Sequence, residues 1–119
     1  MEKTDIVSRN EVMQLVNAFY DKVKIDPLLG GVFARVNWES HLPVMYNFWS
    51  SMLLGDQSYR GTPLRPHLGL PVDSSHFRQW LKLFDETVDE HFAGMKAEEV
   101  KARAYAIAGV FQHKMGIKS

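Results

Sequence analysis

Five histidines are the side chains of this sequence best suited to hold or move something: His41, His67, His76, His91 and His113. None is paired as H-x-x-x-H or H-E-x-x-H, so no helix presents two imidazoles to a zinc ion. One imidazole acting as a lone cofactor ligand remains open. His67 has the setting for it, flanked by Arg65, Pro66, Leu68 and Leu70, an apolar neighbourhood with a cation two residues away. An ordinary core histidine is the competing reading there. His91 and His113 fall where helices end and the dipole favours a cation; His76 falls in a first turn, as a solvated or capping residue. There is no Ser/His/Asp or Cys/His signature and no glycine-rich phosphate loop. The carboxylates Asp85, Glu86, Asp89 and Glu90 recur along one face and read as solvated surface.

The elements that must position these residues are helical. Val12, Leu15, Val16, Phe19, Tyr20 and Val23 share one face of a first helix that opens at Ser8, where Ser8 and Glu11 have capping-box spacing. Asp26-Pro27 and Gly30-Gly31 end it, and a short segment runs through Phe33. Asn37 or Ser40 caps a second helix with Leu42, Met45, Phe48, Trp49, Met52 and Leu53 inward and Gly55 as its stop. Because proline is tolerated only in a first turn, Pro43 predicts a regular start near Leu42, with His41 at the helix entrance. Residues 55–72 hold six Gly or Pro and predict a long functional loop, with room for one turn around Leu64 to Leu68. Asp73 or Ser74 then caps a helix burying Phe77, Trp80, Leu81, Phe84 and Val88 and ending near Gly94. A last helix turns Val100, Ala104, Ile107, Ala108, Phe111 and Met115 inward and stops at Gly116. No strand-like alternation or repeat competes, so the expected class is all-α.

The whole is short. At 119 residues, 45% hydrophobic, the chain predicts one domain, 1–119. Its 14 basic and 14 acidic residues cancel without a basic stripe, which argues against nucleic acid as a partner. No cysteine is present, which excludes disulfides, thiolate-bound iron, iron–sulfur clusters and covalent haem attachment. The opening MEKTDIVSRNEVMQ is too polar for a signal peptide, and no apolar run reaches membrane-spanning length; a cytoplasmic protein with no membrane association is expected. With 3 Trp, 4 Tyr, 7 Phe and 6 Met around a breaker-rich loop, the chain could line a flat apolar cofactor or simply fill a helical core.

In their order and spacing, several motifs settle that choice. They are Phe19-Tyr20, Phe33, His41, Phe48-Trp49, Met52-Leu53-Leu54-Gly55, Tyr59 with Gly61 and Pro63-Leu64, His67-Leu68, Leu70-Pro71, and Phe77 with Trp80-Leu81-x-Leu83-Phe84. Together they resemble the group III truncated haemoglobins over nearly the whole chain. The resemblance implies a truncated globin, a two-over-two helical sandwich around haem b, and makes His67 the proximal ligand of the iron. Paired-glycine signatures of the other truncated groups are absent apart from Gly30-Gly31, which fits the third group.

The same resemblance assigns Tyr20, His41 and Trp80 to the distal side as catalytic polar residues. A diatomic ligand there carries partial negative charge, so a phenol and an indole N–H act as charge-assisted donors. Each is worth about 1.5–3 kcal/mol and would slow ligand loss by roughly ten- to a hundredfold. His41 is either a gate or a third polar contact, with a solvated helix start as the alternative, and Pro43 bears on where it points. Phe33 corresponds to the phenylalanine that packs on the haem plane. Met45, Trp49, Met52, Leu53, Leu64, Leu68, Phe77 and Phe111 complete the pocket or overlap with plain core. Arg65 would pair with a propionate, aided by Tyr59 or Arg60. The last helix ends soon after Phe111, a departure that trims an end.

Strong donors favour redox use of O2, NO, CO or peroxide over oxygen storage, for example nitric oxide dioxygenation or peroxide reduction. Such turnover needs electrons, and the chain has no flavin or nicotinamide motif, so a separate reductase is implied. A non-catalytic gas-ligand sensor or O2 scavenger is the alternative. A cofactor-free helical interaction module is the third, and survives only if the purified chain stays colourless after haem is supplied.

Overall fold

The computed structural model describes residues 3–34, 36–57, 59 and 72–117. These form four helices: α1 (Arg9–Ile25), α2 (Trp38–Leu54), α3 (Ser74–His91) and α4 (Met95–Lys114). Among the described residues the only strand-like pairing is one isolated parallel bridge between Thr4 and Phe92. No helix among them is long and apolar enough to cross a membrane. The class is all-α, as the sequence period demands.

Helix α1 packs on both α2 and α3, α3 packs on α4, and α2 touches α4 more lightly. The seam between α1 and α3 carries the centre of the core, where Phe19, Val23, Phe84 and Val88 are essentially without solvent contact. Phe84 gathers the large rings around itself. Trp80 stacks on it at 5.4 Å and 11°, Trp49 at 5.2 Å and 28°, and Phe19 meets it edge-on at 5.1 Å. Offset and edge-on pairs are the arrangements that ring quadrupoles favour, so this cluster fixes ring orientation as well as burying area.

Two helix starts differ from the sequence expectation. At α1 the capping box does not form: Ser8 makes no side-chain cap bond, and its hydroxyl donates instead to the Glu11 carboxylate at 2.7 Å. A charge-assisted acceptor outcompetes the cap arrangement. Helix α2 begins at Trp38, four residues before Leu42, with Asn37 as its cap and Pro43 inside it. Pro43 is the sixth helical residue. The first four N–H groups of a helix have no internal acceptor in any case, so the proline deletes a single bond, the one to the carbonyl of Glu39. His41 consequently sits within the first turn rather than ahead of the helix.

The other ends agree with expectation. Gly55 caps α2 at φ 70°, and Asp73 caps α3. The acidic face of α3 is exposed at Glu86, Asp89 and Glu90, with Asp89 paired to Lys101 and Glu90 to Lys22, but Asp85 departs from the expected solvated surface: it is half-buried under α4 and accepts from the Tyr105 hydroxyl.

Candidate functional site

Between the helices lies an apolar cavity that opens to solvent on one side, a concave site of the kind small molecules occupy. Every helix contributes to its wall. Tyr20 comes from α1; Met45, Phe48 and Trp49 from α2; His76, Phe77 and Trp80 from α3; Ile107, Ala108 and Phe111 from α4, with Met115 at its C-cap. Leu29, Val32 and Phe33 of the α1–α2 connection close one side. That connection is held by Asp26, whose carboxylate accepts from the N–H groups of Leu28 and Leu29 and from Gln79 on α3 at 2.7 Å. Burial opposes its ionisation, but these donors outweigh it and hold the carboxyl below its ordinary value. Phe33 is thereby carried to the wall, its ring 6.3 Å from that of Tyr20.

The wall is apolar except for a few donors. The Tyr20 hydroxyl and the indole N–H groups of Trp49 and Trp80 have no hydrogen-bond partner among the described residues. They are not sealed away either, since the only fully occluded side-chain polar atom without a partner among those residues is Oδ1 of Asp85. An unpaired donor facing an apolar space costs about 1–3 kcal/mol unless something there accepts from it. Tyr20 is 5% exposed. Burial pushes its phenol far above the usual tyrosine value, which keeps the hydroxyl protonated and therefore a donor. Its ring is held by Phe19 at 5.0 Å and Trp38 at 5.0 Å, and Trp80 is held between Phe19 and Phe84.

Seven of the residues singled out from sequence meet on this wall: Tyr20, Phe33, Met45, Trp49, Phe77, Trp80 and Phe111. His41 stands behind it. Its ring is 6.0 Å from Tyr20 and 5.5 Å from Trp38, so it touches the tyrosine without lining the cavity. One turn beyond the wall Leu53 sits in the core and the half-buried Met52 packs against it, and Tyr59 lies edge-on to Phe48 at 5.2 Å. Leu64, Arg65, His67 and Leu68 lie outside the described residues, as does the expected turn around them.

The profile of the bacterial-like globin family matches residues 5–115. A curated relative, group 3 truncated hemoglobin ctb of Campylobacter jejuni, is 33% identical over 120 residues, covering 95% of this chain and 94% of its own. The crystal structure of the group III truncated hemoglobin from Campylobacter jejuni superimposes with a TM-score of 0.88 at 33% identity, over 96% of this chain and 95% of that one. This chain belongs to the bacterial-like globins, in their truncated group III form. Haem-based binding of small gas ligands comes with that family, and the apolar four-helix wall with its unpaired donors fits such a group.

Some wall residues of this globin escaped the sequence reading. Ile107 and Met115 were legible as part of the inward stripe of the last helix, flanking Phe111 at helical spacing, but as core and not as cavity wall. Val72 precedes the Asp73 cap and Phe77 occupies the N4 position, the two places of a hydrophobic staple. Trp38 had no signal. It joins Tyr20, Phe33 and His41 in one aromatic group and carries the Lys24 ammonium 4.8 Å above its ring.

Proposed function

We propose that this globin, as a single cytoplasmic domain, binds haem b in the four-helix cavity with His67 on the iron. On this reading it uses O2, NO or peroxide in redox chemistry rather than storing oxygen. The observation that carries the reading is the pair of unpartnered donors, Tyr20 hydroxyl and Trp80 indole, on an otherwise apolar wall. A storage protein needs ready release, and two neutral donors directed at one polarised ligand oppose release.

Bound haem would supply a site where a diatomic molecule is held and electrons are exchanged. The chain's own contributions are distinct. Tyr20 and Trp80 donate hydrogen bonds from fixed rings; Phe33, Met45, Phe77 and Phe111 exclude water; Trp38 and His41 brace Tyr20 from behind. In nitric oxide dioxygenation O2 and NO combine into one nitrate and consume one electron, which a separate reductase must return. Peroxide reduction consumes two electrons and two protons and yields two waters.

The test begins with visible spectra of the purified chain after haem is supplied, ferric, dithionite-reduced and CO-bound, beside His67→Ala. A sharp Soret band with a histidine-ligated ferrous form, altered in the variant, is expected. Stoichiometric nitrate on mixing the oxygenated protein with NO would support turnover. Rapid O2 release with no nitrate would favour the sensor or scavenger, and a featureless spectrum would end the haem reading.

A further inference from the structure

His76 lines the cavity although the cap it forms needs only one of its nitrogens. Nδ1 accepts the backbone N–H of Asp73 at 3.0 Å and lies 3.1 Å from the Asp73 carboxylate, which also accepts from the N–H and hydroxyl of Ser75. With the Asp73 N–H donating to Nδ1 to close the capping box, a neutral ring carries its hydrogen on Nε2, and a protonated ring carries one there as well. Nε2 is therefore a donor in either state, and no acceptor for it exists among the described residues. The side chain is 17% exposed, so the ring stands at the rim of the cavity. Trp80 follows four residues later on the same face of α3, about 6 Å further along the axis. The wall thus offers one donor deep inside and one at its edge.

We propose that His76 is a positioning residue whose Nε2–H binds a carboxylate on the edge of the molecule in this cavity. This rests on the haem reading above, in which that carboxylate is a propionate. The site suits an anion. It lies in the first turn of α3, where the helix dipole is positive, and a charge-assisted bond is stronger than a neutral one. Asp73 sits on the opposite, Nδ1 side of the ring, is 70% exposed, and already accepts from Ser75, so water screens its repulsion. A cap alone has no need of histidine. Glu or Gln at this N3 position closes a capping box equally well and would leave the cavity rim differently equipped.

That difference is the test. His76→Glu keeps the cap and removes the donor; His76→Gln keeps the cap and retains an amide donor. The rate at which each holoprotein surrenders haem to excess apomyoglobin is measured, once with haem and once with its dimethyl ester, which has no free carboxylate. Unfolding in urea with haem absent reports on the cap. The expected result is roughly tenfold faster loss of haem from the Glu variant, near-native loss from the Gln variant, and no such difference with the ester. Equal rates for wild type and Glu variant would overturn the proposal, and so would equal acceleration with both haems, which would mark a structural role. A wild-type chain that takes up no haem would instead defeat the haem reading itself and His76's role with it.

Discussion

A phenol on the wall of an apolar cavity donates only while it keeps its proton, and at Tyr20 burial drives the hydroxyl well above its ordinary range. The Tyr20 hydrogen bond should therefore be constant between about pH 6 and 9, where no tyrosine so placed titrates. Tyr20→Phe and Trp80→Phe are each expected to speed O2 release by roughly ten- to a hundredfold, read by stopped-flow mixing with CO. Because both donors serve one ligand, the double variant should fall short of the product of the two. Unchanged release in both single variants would mean that the donors point elsewhere. Periodicity made this side of the cavity legible, since it tells which face a residue occupies. It does not tell height along the axis. Leu53 shares the inward side of α2 with Trp49, yet one turn of rise takes it off the wall and into the core. His76 was readable as a cap from its place after Asp73, whereas its second exposure, to the cavity, depends on where the other helices pack.

The same limit applies to elements, and α4 shows why. Its cap residue, Gly94, has no side chain, and the first turn is closed from far away by Asp5, whose carboxylate accepts from the N–H groups of Lys96 and Ala97 at 2.9 and 2.8 Å. No pattern within α4 could announce an acceptor 91 residues upstream. Burial opposes ionisation of Asp5, but the backbone N–H groups of Lys96, Ile6 and Ala97 prevail and hold its carboxyl below the ordinary value. Asp5→Ala should destabilise the fold by about 1–2 kcal/mol, the usual cost of a lost cap. Because the folded value is depressed, the contribution is complete above the unfolded value of about 4 and fades as pH falls through the lower folded one. The gap between wild type and Asp5→Ala in urea midpoints should thus be full near neutrality and shrink on acidification below about pH 4. A gap that grew in acid would contradict the assignment. Gly94 adds a steric check: at φ 135° a Cβ would stand 2.6 Å from Cγ of Asp5. Gly94→Ala should cost at least as much as losing the cap, about 1–3 kcal/mol.

At the scale of the whole molecule the four helices are unequally joined. The α1–α3 seam is closed by Phe19, Val23, Phe84 and Val88, whereas α2 and α4 approach each other only lightly, with Met45, Phe48 and Trp49 facing Ile107, Ala108 and Phe111 across the cavity. The all-α class and the order of the helices were legible because 3.6-residue periodicity and breakers are local. This imbalance was not, because it arises from what stands between helices distant in sequence. A molecule that fills the cavity supplies the missing contacts and, binding only the folded form, stabilises it by about 1.4 kcal/mol for each tenfold excess of free ligand over its dissociation constant. The gain should be local as well as global. Amide hydrogen exchange with and without haem is expected to show the largest added protection in α2, in residues 27–34 and in the second half of α4, the segments that supply most of the cavity wall. Protection in the middle of α1 and α3 should change least, since aromatic packing around Phe84 already closes that seam. Uniform protection over all four helices would mean that the occupant acts on global unfolding alone. Protection confined to α1 and α3 would place the occupant outside the cavity.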